Sequence, residues 1–211
     1  MLDLQEESAF LQPQLNWNAS LEPLRDMAIQ TWRARMVNEY SSAIVFEELY
    51  KQCCDVGIAE ERLHRLATFA DEERRHGILC AAVVQALGGL AQADRIEQPS
   101  YPKHPDCSAL ESLLRNVLSI CCLSETVAVS LIAAERNEME EGDLKEILTE
   151  IWADECGHAN FGWRILQELL IEATAELKQG LSEYLCVAFG HLEEHEIAHL
   201  PLNSTPPPEG S

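Results

Sequence analysis

The chain has 211 residues, 46% of them hydrophobic, which is enough to form one domain with a full hydrophobic core. Its 36 acidic and 15 basic side chains give a formal charge of −21. Because a surface this acidic repels phosphate backbones and anionic lipid, we expect no nucleic-acid partner and no membrane partner.

Apolar residues recur at helical spacing and no segment shows a convincing strand alternation, so the predicted fold class is all-α. Four long helices and a further C-terminal helix are expected, at residues 20–55, 59–87, 109–136, 144–170 and 181–199. Gly57 is predicted to cap the first helix in the left-handed conformation. A helix as long as the first is unusual, so the sequence allows a break near residues 30–35.

The chain divides into an N-terminal arm, a helical bundle domain and a disordered proline-rich tail, at residues 1–19, 20–200 and 201–211. The arm is predicted to pack through Phe10, Leu11 and Trp17. Between the second and third helices, residues 89–108 contain three prolines. This connection is too long for a tight turn, so we expect a crossover along the bundle.

Two copies of Glu-x-x-His lie on the second and fourth predicted helices, at Glu73–His76 and Glu155–His158. Residues three apart are neighbours on one helix face, so each acid lies beside its imidazole. Four-helix bundles that bind two metal ions combine two such pairs with one further glutamate from each remaining helix. The first and third helices should therefore each supply a glutamate.

The turns between antiparallel helices locate these two glutamates, because residues equidistant from a turn lie at the same height. With a turn near residue 56, Glu73 is level with Glu39, and with a turn near residue 140, Glu155 is level with Glu125. Glu47 and Glu48 are misplaced by about two helical turns. The rival interpretation makes Glu39 a surface acid, whereas Glu125 lies in an apolar run where an unpaired carboxylate is costly.

Six metal ligands are therefore predicted: Glu39, Glu73, His76, Glu125, Glu155 and His158. Oxygen and nitrogen donors without a thiolate suit iron or manganese. Glu73 and Glu155 each share a helix face with a histidine, which makes them the natural bridging carboxylates. Glu72 and Asp154 precede them, and we expect each to accept a hydrogen bond from a histidine ring on a neighbouring helix. For Glu72, a solvated surface position is the alternative.

The eight cysteines form no Cys-x-x-Cys motif, which excludes rubredoxin-type and iron–sulfur centres. The chain opens with an acidic segment rather than a secretion signal, and no apolar run approaches a membrane span in length. Reduced thiols and a cytoplasmic location are therefore expected.

The six ligands resemble those of the ferritin-like di-iron carboxylate superfamily, over roughly residues 32–170. Residues 154–163, Asp-Glu-Cys-Gly-His-Ala-Asn-Phe-Gly-Trp, are similar to the fourth-helix segment of aldehyde-deformylating oxygenases and related bacterial ferritin-like oxygenases. The resemblance implies a ferritin-like four-helix bundle with two iron ions (Fe2+/Fe3+) at mid-height. Manganese or a mixed manganese–iron pair is the alternative.

The resemblance implies an oxygenase or oxidase that uses O2 to oxidise a small organic substrate in a biosynthetic pathway, with electrons from an external donor. Such an enzyme should have an apolar cavity beside the metals. The alternatives are a ferroxidase or iron-storage protein, which forms a hollow oligomer, and a helical bundle that keeps the motif without the metal. A homodimer is compatible with the sequence.

Overall fold

The computed structural model describes residues 1–94 and 101–199, which are mostly helical, as the all-α class predicts. The helices are α1 (Gln5–Ser8), α2 (Arg25–Val56), α3 (Glu60–Leu63), α4 (Leu66–Ala86), α5 (Ala109–Val117), α6 (Glu125–Glu138), α7 (Asp143–Ile171) and α8 (Ala175–His199). Two short strands, β1 (Leu2–Asp3) and β2 (Gln92–Ala93), pair antiparallel. The predicted disordered tail, and residues 95–100 of the predicted crossover, lie outside the described residues.

Helix α2 is a single helix of 32 residues, so the structure has no break near residues 30–35. A 3-10 turn at Glu22–Leu24 precedes α2. The helix itself begins at Arg25, five residues after its predicted start at residue 20. It ends at Gly57, whose φ of 81° is the left-handed conformation predicted for this cap. The second predicted helix is divided into α3 and α4 by a turn at residues 64–65.

The third predicted helix is also divided, because Leu118–Ser124 form a π-helical segment between α5 and α6. The backbone N–H of Glu125 donates to the carbonyl of Ile120, five residues earlier, and Ser124 Oγ donates to the carbonyl of Ser119 at 3.0 Å. A π segment inside a helix often marks a functional position. Here it ends directly at Glu125.

The last helix begins at Ala175, earlier than predicted, because Thr174 caps it. Thr174 Oγ1 accepts a hydrogen bond from the backbone N–H of Leu177 at 3.2 Å. Gly180, the residue before the predicted start of this helix at residue 181, lies inside it. A Cβ there would lie 2.7 Å from Glu111 Oε1, the end of a flexible side chain that can move aside, so the packing of α8 against α5 does not require this glycine.

The four long helical stretches pack side by side. Helix α2 lies along α4, helix α7 lies along α6 and the π segment, and further contacts join α4 to α7 and α2 to α5. Two buried apolar clusters fill the interior, one around Phe46, Phe69 and Leu114 and the other around Met36 and Ile151. Along each long stretch, the predicted ligands fall between residues of the first cluster and residues of the second.

The N-terminal arm attaches through residues other than those predicted. Leu4 is 1% exposed, and its backbone N–H donates to the carbonyl of Ala91 at 3.0 Å. Phe10 and Leu11 are exposed, so their predicted packing role is wrong. Only Trp17 of the predicted trio packs against the core.

One stretch of the described chain, Ala109–Glu138, is long and apolar enough to cross a membrane, because an 18-residue window within it has a mean hydropathy of 2.0. The expectation that no apolar run approaches this length is therefore wrong. Only 39% of the apolar window is buried inside the molecule. The core helix of a soluble protein meets the same criterion, and this stretch carries the buried Glu125 at its middle.

Candidate metal centre

The six predicted ligands come together in two adjoining groups. The first contains Glu39, Glu73, His76 and Glu155, and the second contains Glu73, Glu125, Glu155 and His158. Within each group, one donor atom from every residue lies within 4.8 Å of the others. Glu73 and Glu155 belong to both groups, which is the position expected of bridging carboxylates. Each group could hold a metal ion.

All six side chains are buried, and both histidines are 0% exposed. Four carboxylates this close together cannot all remain ionised in an apolar interior without compensating positive charge. Burial, together with the nearby charge of Glu155, raises the pKa of Glu73 to about 8. Burial and the same neighbour raise the pKa of Glu125 well above its ordinary value. Protons or cations must therefore occupy the centre.

Both histidines direct Nδ1 toward the carboxylates. His158 Nδ1 lies 3.1 Å from Glu73 Oε1 and 3.2 Å from Glu155 Oε2. His76 Nδ1 lies 3.4 Å from Glu155 Oε1 and 3.6 Å from Glu39 Oε2. It is buried and makes no well-directed hydrogen bond to any residue that the structure describes. A buried ring nitrogen surrounded by carboxylate oxygens fits a metal ligand.

The opposite ring nitrogens make a crossed pair of hydrogen bonds. His76 Nε2 on α4 donates to Asp154 on α7 at 3.1 Å, and His158 Nε2 on α7 donates to Glu72 on α4 at 2.9 Å. Both predicted hydrogen bonds are confirmed, including that of Glu72. Because Nε2 carries the proton, the Nδ1 lone pair is available to a metal.

The histidines titrate unusually without a metal. Burial lowers the pKa of His76, but its hydrogen bond with Asp154 and the nearby carboxylates of Glu155 and Glu39 have the larger effect and raise it to about 12. The pKa of His158 is raised in the same way by Glu125, Glu155 and Glu72. A proton on Nδ1 thus substitutes for a cation in the metal-free protein.

Two arginines extend these interactions outward, and the sequence did not reveal either of them. Arg65 forms a salt bridge with Glu72, and Arg75 forms one with Asp154. Burial raises the pKa of Glu72, but its hydrogen bonds with His158 and Arg65 lower it to about 2. An ionised carboxylate is the stronger acceptor for the histidine N–H. The arginines therefore help to orient the rings.

Close packing fixes the rest of the centre. The Phe69 and Phe46 rings lie 4.1 and 5.2 Å from the His158 ring between centroids, and they exclude water from that side. Helix α7 approaches the π segment so closely that a Cβ on Gly162 would lie 2.8 Å from the carbonyl oxygen of Cys121. Only glycine fits there without a shift of one helix.

The rival acids on α2 face away from the centre. Glu47 and Glu48 are both exposed, and Glu47 forms a salt bridge with Arg74. The prediction that favoured Glu39 over these residues agrees with their placement. The cysteines near the centre, Cys80 and Cys121, belong to neither group of possible ligands, and burial raises the pKa of both thiols.

The structure also has a cleft of about 590 Å³ between the N-terminal arm and α4. Its lining includes Trp17, Arg25 and Gln85 and none of the six predicted ligands. This cleft is therefore not the apolar cavity expected beside the metals, and that cavity stays a prediction.

No protein-family model, curated protein or solved structure matches the chain. The resemblance to the ferritin-like superfamily therefore depends on the residues of the centre and their arrangement alone. The chain is a mostly helical protein in which buried glutamate and histidine groups could hold a metal ion.

Proposed function

We propose that the protein is a non-haem di-iron oxygenase or oxidase that uses O2 to oxidise a small organic substrate. The observation that carries this proposal is the pair of four-residue groups that share Glu73 and Glu155. Their four carboxylates match the charge of two divalent cations. Oxygen and imidazole donors without a thiolate suit iron or manganese and do not fit a thiolate-bound zinc or iron–sulfur site.

The proposed fold is a ferritin-like four-helix bundle. Its four helices are α2, α4, the stretch from α5 through α6, and α7, while α8 is an addition. In bundles that hold two metals, two helices each supply Glu-x-x-His and the other two each supply one glutamate. The buried acids of α2 and α6 and the motifs of α4 and α7 fit this arrangement.

Each half of the centre has its own terminal ligands. Glu39 and His76 would hold one iron ion, Glu125 and His158 would hold the other, and the shared glutamates would bridge them. The iron pair would supply the reduction of O2 and the resulting oxidant. Asp154 and Glu72 hold the N–H of each histidine ring, so that Nδ1 stays directed inward.

Small molecules would approach the centre between α2 and α6. The side chains of Glu39 and Glu125 are 10% and 11% exposed, whereas those of Glu73 and Glu155 are 2% and 4% exposed and the histidines are fully buried. The approach is thus opposite the histidines. O2 and the organic substrate are the proposed partners, together with an external electron donor. The eight free thiols fit a reducing, cytoplasmic location.

A ferroxidase or iron-storage role is the second candidate. It is favoured by the formal charge of −21, which raises the local concentration of cations. That role would use the same ligands but would require no organic substrate. Its products would be ferric iron and a mineral core.

Rapid mixing separates the two functions. The protein is loaded anaerobically with Fe(II), mixed with O2 in a stopped-flow instrument, and screened with candidate organic substrates. An oxygenase or oxidase should show a coloured species whose decay one substrate accelerates, with a stoichiometric oxidised product. Repeated oxidation of excess Fe(II) without an organic product would favour the ferroxidase. If Glu155→Ala and wild type react alike, the centre is not the site of the reaction.

A further inference from the structure

A salt bridge spans the gap between α2 and α6, on the side from which small molecules would approach the metal centre. Arg35 of α2 donates through Nη2 to both carboxylate oxygens of Glu135 on α6, at 2.9 and 2.7 Å. These two helices, which the structure describes in full, make almost no close backbone contact, whereas α2 packs along α4 and α6 packs along α7. The salt bridge therefore crosses a part of the molecule that helix packing leaves open.

Arg35 is a fixed positive charge near the metal centre. Its guanidinium carbon lies 5.0 Å from the centroid of the Trp32 ring, and Trp32 is only 9% exposed. Arg35 and Glu39 are four residues apart on α2, so they share a helix face and are separated by about 6 Å along the axis. Burial lowers the pKa of Arg35, but the charge of Glu135, with a smaller effect from Glu39, raises it above its ordinary value.

Glu135, by contrast, is a replaceable partner. Its side chain is 42% exposed, whereas that of Arg35 is 19% exposed. A salt bridge with a half-exposed partner contributes little stability, so this carboxylate can turn into solvent at small cost. When metal ions occupy the centre, Glu39 is committed to a metal, and Glu135 is left as the carboxylate that Arg35 contacts. Another carboxylate that enters the gap can take its place.

The guanidinium also has unused hydrogen-bond donors. Both bonds to Glu135 come from Nη2, and Nε and Nη1 donate to no residue in the described part of the chain. A guanidinium is a planar fork that holds a carboxylate best through two parallel N–H···O bonds from two of its nitrogens. Arg35 can therefore bind a second carboxylate in a better-matched geometry than the one it has with Glu135.

We propose that Arg35 binds the carboxylate of the organic substrate, which displaces Glu135 and directs the rest of the substrate toward the metals. This inference rests on the proposed oxygenase or oxidase function and adds a substrate class to it, the small organic carboxylates. Charge supports a dedicated binding residue. Because a chain of charge −21 repels an anionic substrate, such a substrate needs a fixed positive group where it enters. Glu135 occupies the position of the substrate carboxylate in the structure.

The test compares matched probes in the metal-loaded protein under nitrogen: butyrate, octanoate and benzoate, each against its neutral amide. Calorimetry measures the dissociation constants. We expect at least one carboxylate to bind about tenfold more tightly than its amide, because hydrogen bonds between charged groups are stronger than those with a neutral acceptor. Arg35→Gln should remove that preference, and Arg35→Lys should retain part of it. Circular dichroism and metal content check that both variants fold.

Glu135→Gln should have the opposite effect. It removes the competing carboxylate, so the preferred probe should bind about twofold to fivefold more tightly, while its amide should bind as before. Glu138→Gln is the matched control, because it removes the same charge from an exposed position three residues further along α6. It should leave both affinities unchanged. A salt bridge with a purely structural role would instead lower Tm in the Arg35 and Glu135 variants without changing any probe affinity.

Equal affinities for every carboxylate and its amide would overturn the proposal. A preference for carboxylates that Arg35→Gln leaves intact would also overturn it, since the probe would then bind the metals directly. Weaker carboxylate binding in Glu135→Gln would contradict the exchange of partners. Because binding is measured without turnover, this inference and the proposed function can fail separately. Failure of the function would appear in the rapid-mixing experiment, as iron oxidation without an organic product, and would leave the binding results unchanged.

Discussion

Asp154→Asn should weaken metal binding at one half of the centre. Asp154 accepts a hydrogen bond from His76 Nε2 at 3.1 Å, and its side chain is only 20% exposed. The substitution keeps the shape but removes the charge that orients the ring. A hydrogen bond to a charged group contributes about 1.5–3 kcal/mol. Loss of half to all of that corresponds to about a 3- to 160-fold weaker affinity, a range that contains the 10- to 100-fold typical of partners of metal-bound histidines.

The design of the experiment separates the two halves. Anaerobic Fe(II) titration of the wild type should show two sites per chain, and Asp154→Asn should weaken only the site that His76 serves. Glu150→Gln is the matched control, because Glu150 lies 3.3 Å from the same Arg75 but makes no contact with either histidine. Equal affinities for wild type and Asp154→Asn, or an equal loss in Glu150→Gln, would refute the orienting role of Asp154.

Three further predictions follow from packing and from metal loading. Gly162→Ala should lower the free energy of unfolding by about 1–3 kcal/mol, because the added Cβ overlaps Cys121. Gly190→Ala should be neutral or stabilising, because a Cβ there has nothing within 4 Å. Urea titration of both variants measures the difference. Leu4→Ala should lower the free energy of unfolding by about 2–5 kcal/mol because Leu4 is buried, whereas the exposed Phe10→Ala should lower it by less than about 0.5 kcal/mol. Equal losses would contradict the conclusion that the arm attaches through Leu4. Removing the metal with a chelator should lower Tm. If the free metal had been at 100 times its dissociation constant, the free energy of unfolding should fall by about 2.7 kcal/mol, and calorimetry with and without chelator measures both changes.

The placement of Glu39 and Glu125 was predictable because the helices between each turn and its ligands advance at a known rate. On the second hairpin, the residues counted from the turn back to Glu125 belong to α6, which is a regular α-helix. The π segment lies on the other side of Glu125, so its irregularity does not disturb the register. On the first hairpin, the turn at residues 64–65 interrupts the second helix without moving Glu73 away from Glu39.

Most features that the sequence did not reveal depend on contacts between distant residues. Arg75 reaches Asp154 only after helices α4 and α7 have packed, whereas Arg65, just before α4, reaches Glu72 seven residues further along the same helix. The π segment has no evident local signal, although Gly162 on α7 marks the close approach that accompanies it. Gly180 precedes the predicted start of the last helix but lies inside that helix, where it faces the Glu111 side chain.

The central claim is a two-metal centre, and the amount and state of iron bound per chain test it most directly. Protein loaded with Fe(II) without oxygen and then oxidised should contain two iron ions per chain. Mössbauer spectra should show coupled ferric pairs, and electron paramagnetic resonance should show almost no mononuclear ferric signal. Glu125→Ala should leave at most one iron, whereas Glu47→Ala, at an exposed acid of α2, should retain two. One or no iron in the wild type, or two in Glu125→Ala, would contradict the account.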